Sequence, residues 1–306
     1  MNICLCMYQK NDEKKIGTLV DGRILQLDKL YARRQLKFIY KDIKDFLSAG
    51  QDAKKVLETL LQSSENIEEY LLDSKAIKLL PPIEDPNKII CLVGNYMSHI
   101  KEGAKEKATI PTRINVFQKT NVAITSPTSD IIIPDEVDKL DYELELGFVI
   151  GKKGKYIPKE NAHKHIAGYF VANDISDRGY LPKNGGMIEW FPMKARDNTL
   201  PFGPSVLLSN KDISLENLEM DIKINGELRQ KVNPMEMIFK PEDIVVQLSK
   251  WVTLEVGDII LTGTPSGSRG WSPLPFLVDG DIMEASMKNV GSICNKVVFE
   301  KMEYQV

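Results

Sequence analysis

Leu140-Asp141-Tyr142-Glu143-Leu144-Glu145-Leu146-Gly147-Phe148-Val149-Ile150-Gly151 alternates with a period of two residues. Side chains alternate across a strand, so the stretch predicts a β-strand over Tyr142–Gly151. Tyr142, Leu144, Leu146, Phe148 and Ile150 would share one wholly apolar face. Glu143 and Glu145 fall side by side on the opposite face. A solvated outer surface is the ordinary meaning of such alternation. A second run, Ile166-Ala167-Gly168-Tyr169-Phe170-Val171-Ala172-Asn173-Asp174, is apolar until its acidic end, where a solvated face is less expected. If the two strands pair, Glu143, Glu145 and Asp174 converge. Three like charges a few ångströms apart in a low-dielectric interior cannot all stay ionised without a cation. Carboxylate-only ligation selects a hard ion, Mg²⁺ or Mn²⁺ with Ca²⁺ as a further option, over zinc. Three protein ligands would leave coordination positions open for water and a chelating substrate.

Around this centre the chain is strand-rich. Strands are predicted at Lys88–Gly94, Ala123–Thr125, Asp130–Ile133, His165–Asn173, Val206–Ser209, Glu219–Ile224, Ile259–Thr262, Ile282–Ser286 and Cys294–Phe299, with turns at Asn225-Gly226 and Asp279-Gly280. One short helix is predicted over Tyr96–Lys107. Another, over Pro241–Trp251, is opened by its proline and stands alone among the later strands. The pattern is mainly β with α, a sandwich or roll. The first 80 residues read differently. Short strands at Ile3–Met7, Gly17–Val20 and Arg23–Gln26 surround an Asp21-Gly22 turn, and helices are expected at Ile39–Ser48, Ala53–Ser63 and near Ile67–Leu72. The proline-rich joint Leu80-Pro81-Pro82-Ile83-Glu84-Asp85-Pro86 places a boundary between a small N-terminal α+β domain (1–80) and a larger domain (81–306).

Composition narrows the class. A chain of 306 residues with 42% hydrophobic content can bury a sizeable core, and a formal net charge of -3 gives no reason to expect nucleic acid or an anionic membrane as partner. No apolar run approaches the roughly 20 residues needed to span a bilayer, and the N-terminus lacks the pattern of a signal peptide. Cys4, Cys6, Cys91 and Cys294 form no Cys-x-x-Cys pair and are expected as buried free thiols in a reducing cytoplasm.

Six stretches carry a family resemblance. They are Gly94-Asn95-Tyr96-Met97-Ser98-His99-Ile100-Lys101-Glu102, the Leu140–Gly151 strand, Gly168–Arg178, Lys194-Ala195-Arg196-Asp197 leading into Pro201-Phe202-Gly203-Pro204, Asn225-Gly226-Glu227-Leu228-Arg229-Gln230, and Leu254–Gly267. In this order, from about Lys88 to Phe299, the chain resembles the fumarylacetoacetate hydrolase family. The resemblance implies a mixed β-sandwich roll, often homodimeric, with a smaller N-terminal domain. It also implies Mg²⁺ or Mn²⁺ held by Glu143, Glu145 and Asp174, in agreement with the charge argument. The substrates it implies are acylpyruvates, β-diketo acids and related enolisable oxo acids.

His99 and Glu102 stand three apart on a predicted helix and can meet on one face, which alone suggests no more than a surface hydrogen bond. The resemblance implies that this pair activates water when its helix closes over the site, with His99 as general base and Glu102 orienting the imidazole. Lys194 falls where the family places a lysine that neutralises a developing enolate. Arg178 and Thr264 are the candidates for holding the substrate carboxylate. Lys119, in Phe117-Gln118-Lys119, also matches and is assigned a structural or peripheral role, while His163 and His165 read as structural. Two features depart from simple acylpyruvate hydrolases: Asp177 and Leu181 flank Arg178 where an Ala and a Gln are common, and the loop Pro182–Met187 is longer.

The leading expectation is a metal-dependent hydrolase cleaving a carbon–carbon bond of an acylpyruvate, β-diketo acid or diketo-deoxy sugar acid through a metal-stabilised enolate. The alternative is oxaloacetate decarboxylation or tautomerisation, or hydroxydiene-dioate isomerisation, at the same site. More distant is a non-catalytic binding protein of the same fold. The glycine-rich run Gly263–Gly270 follows a strand, as a phosphate cradle does, but lacks the Gly-Lys-Ser/Thr ending of a P-loop and is followed by prolines and a tryptophan.

Overall fold

A computed structural model describes residues 2–63, 67–182, 186–210, 212–270 and 272–302. Two sheets organise them. The larger has twelve strands, and its main path runs Leu71–Asp73, Arg23–Gln26, Glu13–Val20, Cys4–Lys10, Leu200–Leu208, Ile166–Asn173, Leu144–Ile150, Ile259–Leu261, Ile89–Val93 and Asn115–Lys119. The smaller has five, in the order Glu227–Val232, Met220–Ile224, Ile282–Met287, Gly291–Glu300 and Ile131–Pro134. The result is a mixed α+β fold.

The two signature strands do pair. Leu144–Ile150 runs antiparallel to Ile166–Asn173, with Glu145 opposite Ala172 and Gly147 opposite Phe170. Leu144, Leu146, Phe148 and Ile150 pack into a core shared with Met220, Ile222 and Met283 of the smaller sheet. The reverse face is buried as well. Val149 joins Phe170, Phe202 and Val206 in a second core, which also takes Phe46, Leu57 and Leu60 from the N-terminal helices. Gly147 is required there, because a Cβ would lie 2.1 Å from the Phe170 ring. With both faces covered, Glu143 and Glu145 are buried, and the solvated-face meaning of the alternation does not hold.

Several elements differ from expectation. The strand predicted over Tyr142–Gly151 is broken: Leu140–Asp141 pairs with Ser176–Asp177 as a separate ribbon, and regular pairing resumes at Leu144. Side-chain amides replace the ladder at the break. Glu143 donates its amide to Asn173 Oδ1, and Leu144 donates to Gln230 Oε1, both at 2.9 Å. The N-terminal helices are Leu27–Arg33, which was not anticipated, Ile43–Ser48, capped by Asp42, and Gly50–Gln62. The expected helix near Ile67–Leu72 is a 3-10 turn, Glu68–Tyr70, running into the strand Leu71–Asp73. Pro241–Trp251 is helical as expected but not alone, because Trp190–Lys194 also forms a short helix with Pro192 in its first turn, where a missing N–H costs no internal bond. Strands at Asn115–Lys119 and Glu227–Val232 were not anticipated.

The sheet crosses the joint near residue 80. Cys4–Lys10 pairs on one edge with Leu200–Leu208 and also with Lys78–Leu80. Asp21 and Gly22 both take positive φ, 48° and 75°, as the two-residue hairpin turn requires. Cys4, Cys6 and Cys91 are buried free thiols, but Cys294 is exposed, because it falls on the outward face of its strand. No helix among the described residues is long and apolar enough to cross a membrane.

Candidate metal and catalytic site

The pairing of the acidic strand with its neighbour brings the three acids together. Glu143 and Glu145 lie two apart, and Asp174 sits across from Glu143, its amide donating to the Glu143 carbonyl at 2.8 Å. A carboxylate oxygen from each of Glu143, Glu145 and Asp174 lies within 4.8 Å of the others, and all three residues are buried.

Cationic side chains surround them. Lys194 Nζ, on the short helix Trp190–Lys194, lies 2.6 Å from Asp174 Oδ2 and 2.7 Å from Glu143 Oε2. Arg178 Nε donates to Asp141 Oδ2 at 2.8 Å, and its Nη2 to Glu143 Oε1. Arg178 therefore spends two of its donors on protein carboxylates while still lining the cavity. Lys119 is not peripheral. Its side chain is wholly buried, with Nζ 2.7 Å from Asp174 Oδ1 and donating to the Ile175 carbonyl at 3.2 Å. Asp141, which carried no assignment, is buried and accepts from Arg178 and from the amides of Arg269 and Gly270. Its signal was parity: Asp141, Glu143 and Glu145 alternate along one stretch.

The electrostatics sort these acids. Burial pushes the Glu143 carboxyl up, but Lys194 and Arg178 outweigh it and bring it down to about 2. Burial also opposes the charge on Lys194, yet Asp174 and Glu143 hold it above its usual range. Glu145 behaves differently. Burial first, then the neighbouring Asp174 and Glu143, raise it well above the ordinary carboxylate range, and the charge of Lys194 and an amide bond from Gly263, 2.6 Å to Oε2, only partly offset this. Four carboxylates, with Asp141, face the three cations Lys119, Arg178 and Lys194, and Glu145 has no direct cationic partner among the described residues. An all-oxygen donor set with a deficit of positive charge at Glu145 fits a hard divalent ion, held by Glu143, Glu145 and Asp174.

The cavity beside this cluster, about 80 Å³, is lined by His99, Glu143, Arg178, Lys194, Thr264 and, on its apolar side, Leu181 and Trp190 among others. Trp190 stacks on Phe117, centroids 4.8 Å apart, and the Lys194 ammonium lies 5.1 Å from the Phe117 centroid. His99 and Glu102 share the helix Met97–Ala104, and His99 Nδ1 is 3.5 Å from Glu102 Oε2. Glu102 Oε1 accepts the amide of Gly267 at 2.9 Å, which docks this helix on the Gly263–Gly270 segment. His165 is buried and bonded to the Lys152 carbonyl, away from the cavity lining. Of the loop Pro182–Met187, residues 183–185 lie outside the described residues. Among the described residues no helix follows Gly263–Gly270 before the strand Ile282–Met287, so the structural setting of a phosphate cradle is not seen there.

A buried acid trio ringed by cations, beside a small cavity lined by His99, makes this a candidate divalent-metal centre. Residues 88–298 match the family described as "Fumarylacetoacetate (FAA) hydrolase C-terminal". The chain belongs to that family of enzymes. It is 37% identical over 257 residues to a Xenopus laevis protein named oxaloacetate tautomerase fahd2, mitochondrial, covering 84% of this chain and 78% of that one. It is 34% identical over 291 residues to oxaloacetate tautomerase YisK of Bacillus subtilis, covering 92% and 95%. Among solved structures, it is similar to a probable 2-hydroxyhepta-2,4-diene-1,7-dioate isomerase from Mycobacterium abscessus, with a TM-score of 0.77, 28% identity, and coverage of 99% and 100%. A fumarylacetoacetate hydrolase from Exiguobacterium antarcticum aligns with a TM-score of 0.79, 26% identity, and coverage of 97% and 100%. These names fit the tautomerase and isomerase alternative better than the carbon–carbon hydrolysis expected first.

Proposed function

We propose that this chain is a divalent-metal-dependent keto–enol tautomerase of 2-oxo acids, with oxaloacetate the lead substrate. The observation that carries the reading is the placement of Lys194 between Glu143 and Asp174, at the wall of the cavity that His99 also lines. Glu143, Glu145 and Asp174 would hold Mg²⁺ or Mn²⁺, which would supply Lewis-acid activation of the substrate. The chain's own residues do the rest. Thr264 and Arg178, which line the same cavity, receive the substrate carboxylate. His99 takes a proton from C3, and Glu102, 3.5 Å from Nδ1, stabilises the imidazolium that results. Negative charge then gathers on the C2 oxygen, where the Lys194 ammonium is already fixed in a water-poor cavity. Return of that proton from the His99 imidazolium to the oxygen, directly or through solvent, gives the enol and restores the neutral imidazole, and the same steps reversed give the ketone. Tautomerisation needs only this proton transfer, whereas hydrolysis also needs an attacking water beside His99.

The test is the ultraviolet decay of enol-oxaloacetate with Mg²⁺ or Mn²⁺, run beside pyruvate release from oxaloacetate and from acylpyruvates. Metal-dependent enol decay without pyruvate release supports the reading. Pyruvate release from an acylpyruvate as the dominant activity returns the chain to the hydrolases. The family resemblance also supports a homodimer, and the free thiols Cys4, Cys6 and Cys91 support a reducing compartment. Met187 and Phe191, 91% and 71% exposed, are apolar surface available for burial, and sedimentation velocity checks the assembly.

A further inference from the structure

Gln230 projects from the strand Glu227–Val232 of the smaller sheet, is 2% exposed, and has its carboxamide fixed by its neighbours. Its Oε1 accepts the Leu144 amide at 2.9 Å, between the metal-site residues Glu143 and Glu145, and only the oxygen end can do so. Nε2 therefore faces Thr264 Oγ1 at 2.9 Å, the Pro265 carbonyl at 3.0 Å and the Ser266 carbonyl at 3.3 Å. An amide nitrogen donates and does not accept. In its contact with Gln230 the Thr264 hydroxyl is thus the acceptor, and its own proton points elsewhere. Among the described residues no carbonyl or carboxylate takes that proton, and Thr264 lines the cavity with Glu143, Arg178 and Lys194.

We propose that Gln230 is a positioning residue that sets the polarity of the Thr264 hydroxyl, so that it donates to the carboxylate of a bound 2-oxo acid. The role rests on the 2-oxo-acid reading of the cavity. It separates two functions of one side chain: Oε1 holds the metal strand at Leu144, and Nε2 aims Thr264. Gln230→Glu divides them. The carboxylate still accepts from Leu144, but it can only accept from Thr264, so the hydroxyl turns toward it and presents a lone pair to an incoming carboxylate.

Calorimetric titration of oxalate into the Mn²⁺-loaded protein tests this in a double-mutant cycle of wild type, Gln230→Glu, Thr264→Val and the pair. Each single substitution is expected to weaken oxalate at least tenfold, and the pair to bind within twofold of Thr264→Val alone. The Mn²⁺ Kd of Gln230→Glu is expected within threefold of wild type. With oxaloacetate, KM rises at least fivefold in Gln230→Glu while kcat moves less than threefold. If Gln230→Glu does not unfold cooperatively, Gln230→Met, which lacks the donors, the charge and also the Leu144 acceptor, takes its place in the same cycle, with its Mn²⁺ Kd read alongside to report the loss at Leu144 separately. Equal proportional losses in both Thr264 backgrounds, or a fall in kcat with KM unchanged, would overturn the positioning role while leaving the 2-oxo-acid reading intact. A wild type that binds no oxalate with Mn²⁺ overturns both.

Discussion

Lys194 Nζ stands 2.6 Å from Asp174 Oδ2, both side chains almost fully withdrawn from water. The contact joins a five-residue helix to the end of a core strand and holds a positive charge at the cavity wall, where the proposed tautomerisation would form its enolate oxygen. Lys194→Met removes that charge without opening a large void. The expected outcome is a kcat lower by roughly a hundredfold, with Mn²⁺ affinity kept or increased because a competing cation has gone. Steady-state kinetics and a Mn²⁺ titration on the same variant check both.

In the proposed mechanism His99 and Glu102 divide one task. Loss of the proton carrier in His99→Asn should cost about 10²-fold or more in turnover. Glu102→Gln should cost less, about tenfold, because the imidazole remains. Glu102 also accepts the Gly267 amide, a bond the neutral Gln side-chain oxygen can keep. Exchange of the C3 hydrogens of oxaloacetate into deuterated water, followed by NMR, reads the proton-transfer step directly. Unchanged exchange in His99→Asn would remove His99 from the mechanism.

The acid trio was legible because its parity is local and its pairing partner is a long apolar run. Glu143 and Glu145 alternate with a pure apolar face, and Asp174 ends a strand with no polar surface to belong to. The detail that completes the centre was not legible. Lys119 matches the family pattern in sequence, but nothing local separates a structural role from a peripheral one, and only the fold shows it against Asp174. The break at Tyr142–Glu143 depends on Asn173 and Gln230 replacing a ladder, a long-range event with no local mark. Pro192 hid the helix that presents Lys194, and the charged alternation Glu227-Leu228-Arg229-Gln230-Lys231 hid an edge strand. The cores that cover both faces of the acidic strand are built from distant segments, so its burial has no local mark.

Gly147 tests the packing that holds this strand. A methyl group there meets the Phe170 ring at 2.1 Å, well inside contact distance. Gly147→Ala is expected to destabilise the protein by about 1–3 kcal/mol through overpacking, read as a lower urea midpoint with unchanged slope.

The thiols give a pH-dependent outcome. Burial raises Cys4 to about 11 and Cys6 to about 12, from an ordinary value of 9.0. The folded state keeps these protons after the unfolded chain has released them. Their contribution is therefore intact below pH 9 and is lost as pH rises toward the folded values. Between pH 9 and 11 the wild type should lose about 2 kcal/mol more stability than Cys6→Ala, measured by denaturant titration. A thiol reagent at pH 8 should modify the exposed Cys294 before the buried three.

The most direct test of the metal-centred account is enol-oxaloacetate decay in wild type and Glu145→Ala after exhaustive chelation, with Mn²⁺ then returned in steps. The account predicts that chelated wild type falls to the uncatalysed rate and recovers with Mn²⁺. Glu145→Ala, lacking the carboxylate that has no cationic partner of its own, should not recover at the same concentrations. Full activity in chelated wild type, or an identical Mn²⁺ response in the two proteins, would contradict it.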